Sequence, residues 1–297
     1  MYKKGFCMKK CIFKGVATAL ATPFSENGVN VTEFEKFINF QINSGVNALV
    51  VCGTTGESST MTKEEKITAI KCAVKASAGR VPVIVGTGSN NTNSAIEMSM
   101  IAEELGADGL LIVTPYYNKT SQKGLIQHYS AIANYVSLPI ILYNVPSRTG
   151  LNIQPETCFE LSKIDNIVGI KEASGNISQV AKIAILCGKD FSIYSGNDDQ
   201  IVPILSLGGK GVISVLSNVN PTLACKITNS FFEKETEKAC NYQLEALPLI
   251  ESLFADVNPI PVKEALNIIG FNFGIPRLPL VKCSDDLQKK LKQQLNT

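Results

Sequence analysis

Histidine is nearly missing from this chain: His128 is the only one among 297 residues. A histidine-rich metal centre is thereby excluded. The nine cysteines offer no substitute, because no CxxC pair occurs and their spacing follows neither a zinc nor a disulfide framework. They read as reduced thiols of a cytosolic protein. An excess of one charge is also lacking. Lysine and arginine number 28 against 26 acidic residues, a net charge of +2, so nothing attracts nucleic acid electrostatically. No apolar run approaches the roughly 18 residues of a membrane span. No Gly-x-Gly-x-x-Gly turn opens the first strand-like run, which argues against a doubly wound nucleotide-binding sheet.

What is present is an ordinary globular composition, 45% hydrophobic and 18% charged, arranged in a strict alternation. Short apolar runs at residues 16–20, 48–51, 83–85, 110–113, 140–143, 167–172, 192–194 and 212–215 read as strands. Each is followed by a helix-like stretch: 34–42 capped by Thr32, 63–76, 93–105, 124–136, 155–162, 178–187, 199–207 and 222–232. Eight strand–helix units predict an α/β fold, a closed (β/α)8 TIM barrel of parallel strands over residues 13–234. Beyond residue 235 the strands stop. Helices at 237–254, 260–269 and 285–295, with a proline-rich linker Asn258-Pro259-Ile260-Pro261, predict a C-terminal helical appendage over 235–297. Residues 1–12 form an N-terminal extension, with Met8 an alternative start. Their basic character suits a lead-in to the first strand better than a signal peptide, since the apolar stretch that follows is short and runs into Thr22-Pro23.

The chemistry is expected at the C-terminal ends of the strands. Ile167-Val168-Gly169-Ile170-Lys171-Glu172 reads as a buried strand ending in a lysine. Alternation puts Ile167, Gly169 and Lys171 on one face, with Gly169 leaving space beneath the lysine. A lysine in a partly desolvated pocket loses some preference for its charge and becomes a nucleophile able to form a Schiff base. The ordinary alternative is a strand-ending lysine that reaches water. Gly53-Thr54-Thr55-Gly56-Glu57, after the second strand, offers free N–H groups and two hydroxyls for a carboxylate, or is a plain turn. Tyr143 ends the fifth strand as a candidate proton carrier, and Arg148 just beyond can clamp a carboxylate. Their ordinary readings are a core plug and a surface ion pair. Asp198 and Asp199 follow the seventh strand and would repel a phosphate, so a non-phosphorylated substrate is expected. His128 is expected on a helix surface.

These segments together resemble the dihydrodipicolinate synthase family, within the superfamily of Schiff-base aldolases that includes N-acetylneuraminate lyase. The resemblance runs from Phe13 to the C-terminus. It rests on Gly53-Thr54-Thr55-Gly56-Glu57, Pro115-Tyr116-Tyr117-Asn118, Tyr143-Asn144-Val145-Pro146-Ser147-Arg148-Thr149-Gly150, Gly169-Ile170-Lys171-Glu172-Ala173, Gly211-Val212-Ile213-Ser214-Val215 and Asn258-Pro259-Ile260-Pro261-Val262-Lys263, in that order and spacing. It implies a lyase of lysine and diaminopimelate synthesis that condenses pyruvate with L-aspartate 4-semialdehyde, without cofactor or metal. Lys171 would form the Schiff base, Tyr143 would move protons, and Thr54 would relay them to Tyr117, which in this family comes from across a tight dimer interface. Thr55, Gly196 and the Ile213 backbone would hold pyruvate, and Arg148 the carboxylate of the semialdehyde. A cytoplasmic homo-oligomer, a tight dimer paired into a tetramer, is implied, with no nucleic-acid or membrane partner.

Two other readings are weighed against it. Sialic-acid lyases and keto-deoxy sugar aldolases share the lysine and tyrosine but generally lack the arginine. A non-catalytic pyruvate-binding barrel would not need every chemical group in place. One departure concerns regulation. Feedback-inhibited members bind free lysine at the positions of Ser58, Asn90, Ser94 and Tyr116, commonly with a carboxylate where Ser94 stands and histidines where Lys63 and Lys66 stand. Losing the acid and adding like charges predicts weak or absent inhibition by lysine.

Overall fold

A computed structural model describes Lys9 and residues 11–295; most of the expected N-terminal extension lies outside them. The eight expected strands are β1 (Gly15–Ala19), β2 (Ala48–Val51), β3 (Val83–Gly86), β4 (Gly109–Val113), β5 (Ile140–Asn144), β6 (Ile167–Glu172), β7 (Ser192–Ser195) and β8 (Gly211–Ser214). All pair in parallel with their sequence neighbours, and β8 pairs back onto β1 through Val16 opposite Val212, which closes the barrel.

Closure explains why the strands are apolar throughout. On β2, Ala48 and Val50 face the interior while Leu49 and Val51 face the surrounding helices, so both faces leave water. The interior is filled by side chains of mixed size, Ala17 and Ala19 meeting Ile84, Leu111, Ile141 and Ile213. At the N-terminal end, Phe13 stacks on Tyr194 with ring centroids 4.2 Å apart, and the Tyr194 hydroxyl donates to the Phe13 carbonyl at 2.9 Å. The two rings seal the floor.

Four local features differ from what the sequence suggests. The first helix, Val31–Asn43, is capped by Asn30, whose side chain accepts from the Glu33 amide; Thr32 is already inside it. A two-stranded hairpin, Phe24–Ser25 with Gly28–Val29, precedes that helix. The register of β5 with β6 shifts so that Ile140 faces Ile167 and Ile141 faces Gly169. This bulge turns Val168 into the barrel and Ile167 out towards the helices. Ile167 therefore does not share the face of Lys171. Gly169 also serves a different purpose from the one expected. A Cβ there would lie 2.3 Å from the Ser192 carbonyl oxygen of β7, so glycine permits close strand contact.

The C-terminal helices are Thr236–Leu253, Ile260–Ile268 and Asp285–Gln294. Phe273 and Phe271 meet Phe37 of the first helix edge-on, at 4.9 and 5.3 Å. Burying a ring such as Phe37, which is fully enclosed, contributes about 1.5–3 kcal/mol. This region does more than rest on the barrel: Phe254 and Asn258 line the cavity at its mouth.

Candidate active site

Lys171 and Tyr143 are register partners on adjacent strands, so their side chains project inward side by side. Lys171 is 5% exposed, and its Nζ lies 4.3 Å from the centre of the Tyr143 ring. The solvent-reaching alternative is thus removed. Immediately after Lys171, Glu172 points outward and is fully engaged. Its carboxylate accepts from Asn144 Nδ2 at 3.1 Å, Gln179 Nε2 at 3.0 Å and the Ser174 amide at 2.8 Å. Asn144 follows Tyr143 directly, so this outer network ties together the two strand ends that carry the inner pair.

Lys171 and Tyr143 open into a cavity of about 210 Å³ at the C-terminal end of the barrel, which Thr54, Thr55, Arg148, Gly196 and Asn197 also line. Gly196 stands directly behind the lysine. A Cβ on it would lie 3.2 Å from Lys171 Cε and 2.6 Å from the Ala173 methyl. The loop after β2 carries the two threonines and holds Cys52 and Glu57 at positive φ, +57° and +56°. Such backbone is costly for residues other than glycine and is kept where neighbours enforce it. Arg148 sits on a one-turn helix, Pro146–Thr149, where the sequence shows only the residues that follow a strand.

Asn258 opens both the proline-rich linker and the motif Asn258–Lys263, which assign it no role, and it proves central. Its Nδ2 donates to Thr55 Oγ1 at 2.9 Å, and its backbone carbonyl accepts from Arg148 Nη2 at 3.4 Å. The motif does not say what the residue does, because its partners lie more than a hundred positions away.

Two expected site residues stand apart from the cavity lining. Ile213 is fully buried beneath it among the barrel's inner side chains. Tyr117 is 91% exposed, at φ +67° on the loop after β4. Asp198, expected to repel a phosphate from the loop after β7, is turned inward. It is buried, and Oδ2 accepts from the Val215 and Leu216 amides at 2.9 and 2.8 Å. Burial raises its pKa, opposed by the Ser214 hydroxyl, those two amides and the charge of Lys171. His128 is likewise buried, its Nδ1 3.0 Å from Thr92 Oγ1, and not on a helix surface.

A second cavity of about 310 Å³ adjoins the first, sharing Thr54, Val145 and Arg148. Ser58, Ser94, Tyr116 and Lys66 line it. Asn90 lines a separate depression beside His128. Lys63 turns away to an ion pair with Glu97, so Lys66 alone of the two expected cations faces the cavity. Among the described residues, no three His, Cys, Asp or Glu side chains converge as a metal site.

The model of the Dihydrodipicolinate synthetase family matches residues 12–297. The chain belongs to that family. It is 56% identical over 286 residues to the 4-hydroxy-tetrahydrodipicolinate synthase of Thermoanaerobacter sp. (strain X514), covering 96% of each chain. It is 55% identical over 284 residues to 4-hydroxy-tetrahydrodipicolinate synthase 1 of Clostridium acetobutylicum, covering 96% of this chain and 97% of that one. Among solved structures, the dihydrodipicolinate synthase of Thermotoga maritima superposes with a TM-score of 0.94 at 42% identity, covering 96% of this chain and 98% of the other. The barrel's closed eight-strand order accords with the family's solved structures.

Proposed function

We propose that this chain is the lyase of the 4-hydroxy-tetrahydrodipicolinate synthase reaction, with Lys171 as its nucleophile. The observation that carries the reading is a buried amine at the end of a barrel strand, beside a tyrosine, in a small cavity whose rim holds an arginine.

The Lys171 amine attacks the keto carbon of pyruvate and expels water, giving an iminium. Loss of a proton from the methyl carbon gives an enamine. That carbon adds to the aldehyde of L-aspartate 4-semialdehyde, whose oxygen takes up a proton. The substrate's own amine then attacks the iminium carbon, closes the ring and releases Lys171. Two substrates give one cyclic product and water, so neither an oxidant nor a cofactor is required.

Tyr143 carries the protons, and Thr54 passes them to Tyr117 of a second chain. The near-total exposure of Tyr117 supports its being a group that awaits a neighbour. Thr55, Gly196 and the Ile213 backbone hold pyruvate, and Arg148 holds the carboxylate of the semialdehyde. The assembly is a tight dimer, paired further into a tetramer, in the cytoplasm. Among the described residues no helix is long and apolar enough to cross a membrane.

Incubation with pyruvate and borohydride, followed by peptide mass mapping, tests the nucleophile. A reduced pyruvate adduct on Lys171 is expected; an adduct elsewhere, or none, refutes it. Adding L-aspartate 4-semialdehyde or N-acetylneuraminate then separates the synthase from a sialic-acid lyase.

A further inference from the structure

Glu57 and Lys263 form the most deeply buried ion pair among the described residues, with side chains 1% and 0% exposed and Lys263 Nζ 2.8 Å from Glu57 Oε1. Neither side chain enters the cavity or takes part in the chemistry above. Two charges taken out of water seldom recover their desolvation cost, and a well-packed apolar pair would stabilise a fold as well. The pair therefore calls for a reason beyond stability.

Its position supplies one. Glu57 is two residues beyond Thr55, in left-handed backbone at φ +56°. Its second oxygen, Oε2, accepts from the Arg277 amide at 2.8 Å. Lys263 also donates to the Ile275 carbonyl at 3.3 Å, and its Nζ lies 4.6 Å from the centre of the Phe24 ring. Five residues before Lys263, Asn258 Nδ2 donates to the Thr55 hydroxyl at 2.9 Å. The Lys263 amide donates to the Pro259 carbonyl at 2.9 Å, which ties the two ends of that segment together. Segment 258–263 thus grips the loop after β2 at two points, the hydroxyl of Thr55 and the carboxylate of Glu57. Asn258 Oδ1 is buried with no partner, so the amide of Asn258 is oriented through its contact with Thr55. A shift of the segment would be passed directly to that hydroxyl.

We propose that the Glu57–Lys263 ion pair is a latch through which the C-terminal helices orient Thr55, so that both residues are positioning residues for pyruvate binding. The inference rests on the reading of Thr55 as part of the pyruvate pocket. The first substrate should feel the loss of the latch most: Arg148 meets the segment only through the longer, 3.4 Å bond to the Asn258 backbone carbonyl, whereas Thr55 is held at 2.9 Å.

The test titrates pyruvate against the full-length protein, traps with borohydride and quantifies the adduct on Lys171. Steady-state KM values for both substrates are measured alongside. K263M leaves Glu57 buried without its cation, held only by the Arg277 amide, and it is compared with E57Q/K263M, in which neither charge remains. In the double variant, with melting close to wild type, we expect half-saturation to need on the order of tenfold more pyruvate, with the semialdehyde KM within about twofold. A folded double variant with wild-type pyruvate dependence overturns the proposal. So does a loss that appears only as an untrappable fraction of chains, or failure of both variants to fold, since the pair then serves folding alone. Should the wild type itself form no adduct, the assignment of Lys171 falls, which is a different result.

Discussion

Tyr143 faces Lys171 across one strand pairing, with the amine nitrogen 4.3 Å from the ring centre. The ring flanks the amine whether or not it carries a hydroxyl, so packing and proton transfer can be separated. Tyr143→Phe should keep the ring in place and lower turnover by about 10²–10⁴-fold, the span of a lost acid–base group. Steady-state kcat checks this. Rates near wild type would remove Tyr143 from the proton path.

Gly196 lines the cavity close behind the lysine. Gly196→Ala would place a methyl 2.6 Å from the Ala173 methyl, 3.1 Å from the Glu172 carbonyl oxygen and 3.2 Å from Lys171 Cε, so Ala173 or the backbone has to shift and the lysine stem has to give with it. A displacement of this kind should lower kcat/KM by about 10–10²-fold, with the overall fold retained. Kinetics and far-UV circular dichroism together test it; unchanged kinetics would mean that the pocket yields freely there.

His128 makes stability depend on pH. Burial lowers its pKa from the usual 6.5, and Nε2 has no partner in its buried setting. Below 6.5 the unfolded chain takes up a proton that the folded chain resists, so stability falls as pH drops from 6.5 towards the folded pKa. His128→Gln removes the only histidine and should flatten that dependence between pH 6.5 and about 5, the range histidine governs. Urea midpoints across the range measure it. An equally steep slope in the variant would assign the effect to other groups.

Added lysine should inhibit weakly or not at all. The cavity lined by Ser58, Ser94 and Tyr116 also receives the Lys66 side chain, and a cation there disfavours a cationic ligand. The charge of Lys63 is taken up by Glu97, so the repulsion comes from one residue and not the expected two. Activity measured against free lysine decides the matter; strong inhibition below millimolar concentration would contradict it.

The barrel was legible because its strands are apolar on both faces, which produces short uninterrupted runs between amphipathic helices. Lys171, Tyr143 and Arg148 were legible because each follows or ends such a run, where barrel chemistry gathers. The bulge at Val168 was not, since an extra residue in an apolar strand leaves the composition unchanged while reversing which side chains face inward. The cap at Asn30 lost to Thr32 because both precede a glutamate at the right interval. Asn258 and Lys263 were visible only as the two ends of a resemblance motif, with no role attached to either. Their meaning lies in contacts with Thr55 and Glu57, 203 and 206 positions away, and in a sequence they look like a proline-rich connection followed by a helix.

Phe13 lying flat on Tyr194 gives the chamber a dead end. Everything that reaches Lys171 must arrive past the rim and depart by the same doorway. With the roles proposed for Lys171 and Arg148, the molecule destined for the amine would go in first, because a guest already at Arg148 would stand in its way, and the ring-closed product would have to clear the passage before another round began. A strict queue is written into the two aromatic rings at the bottom as firmly as into the groups that do the chemistry.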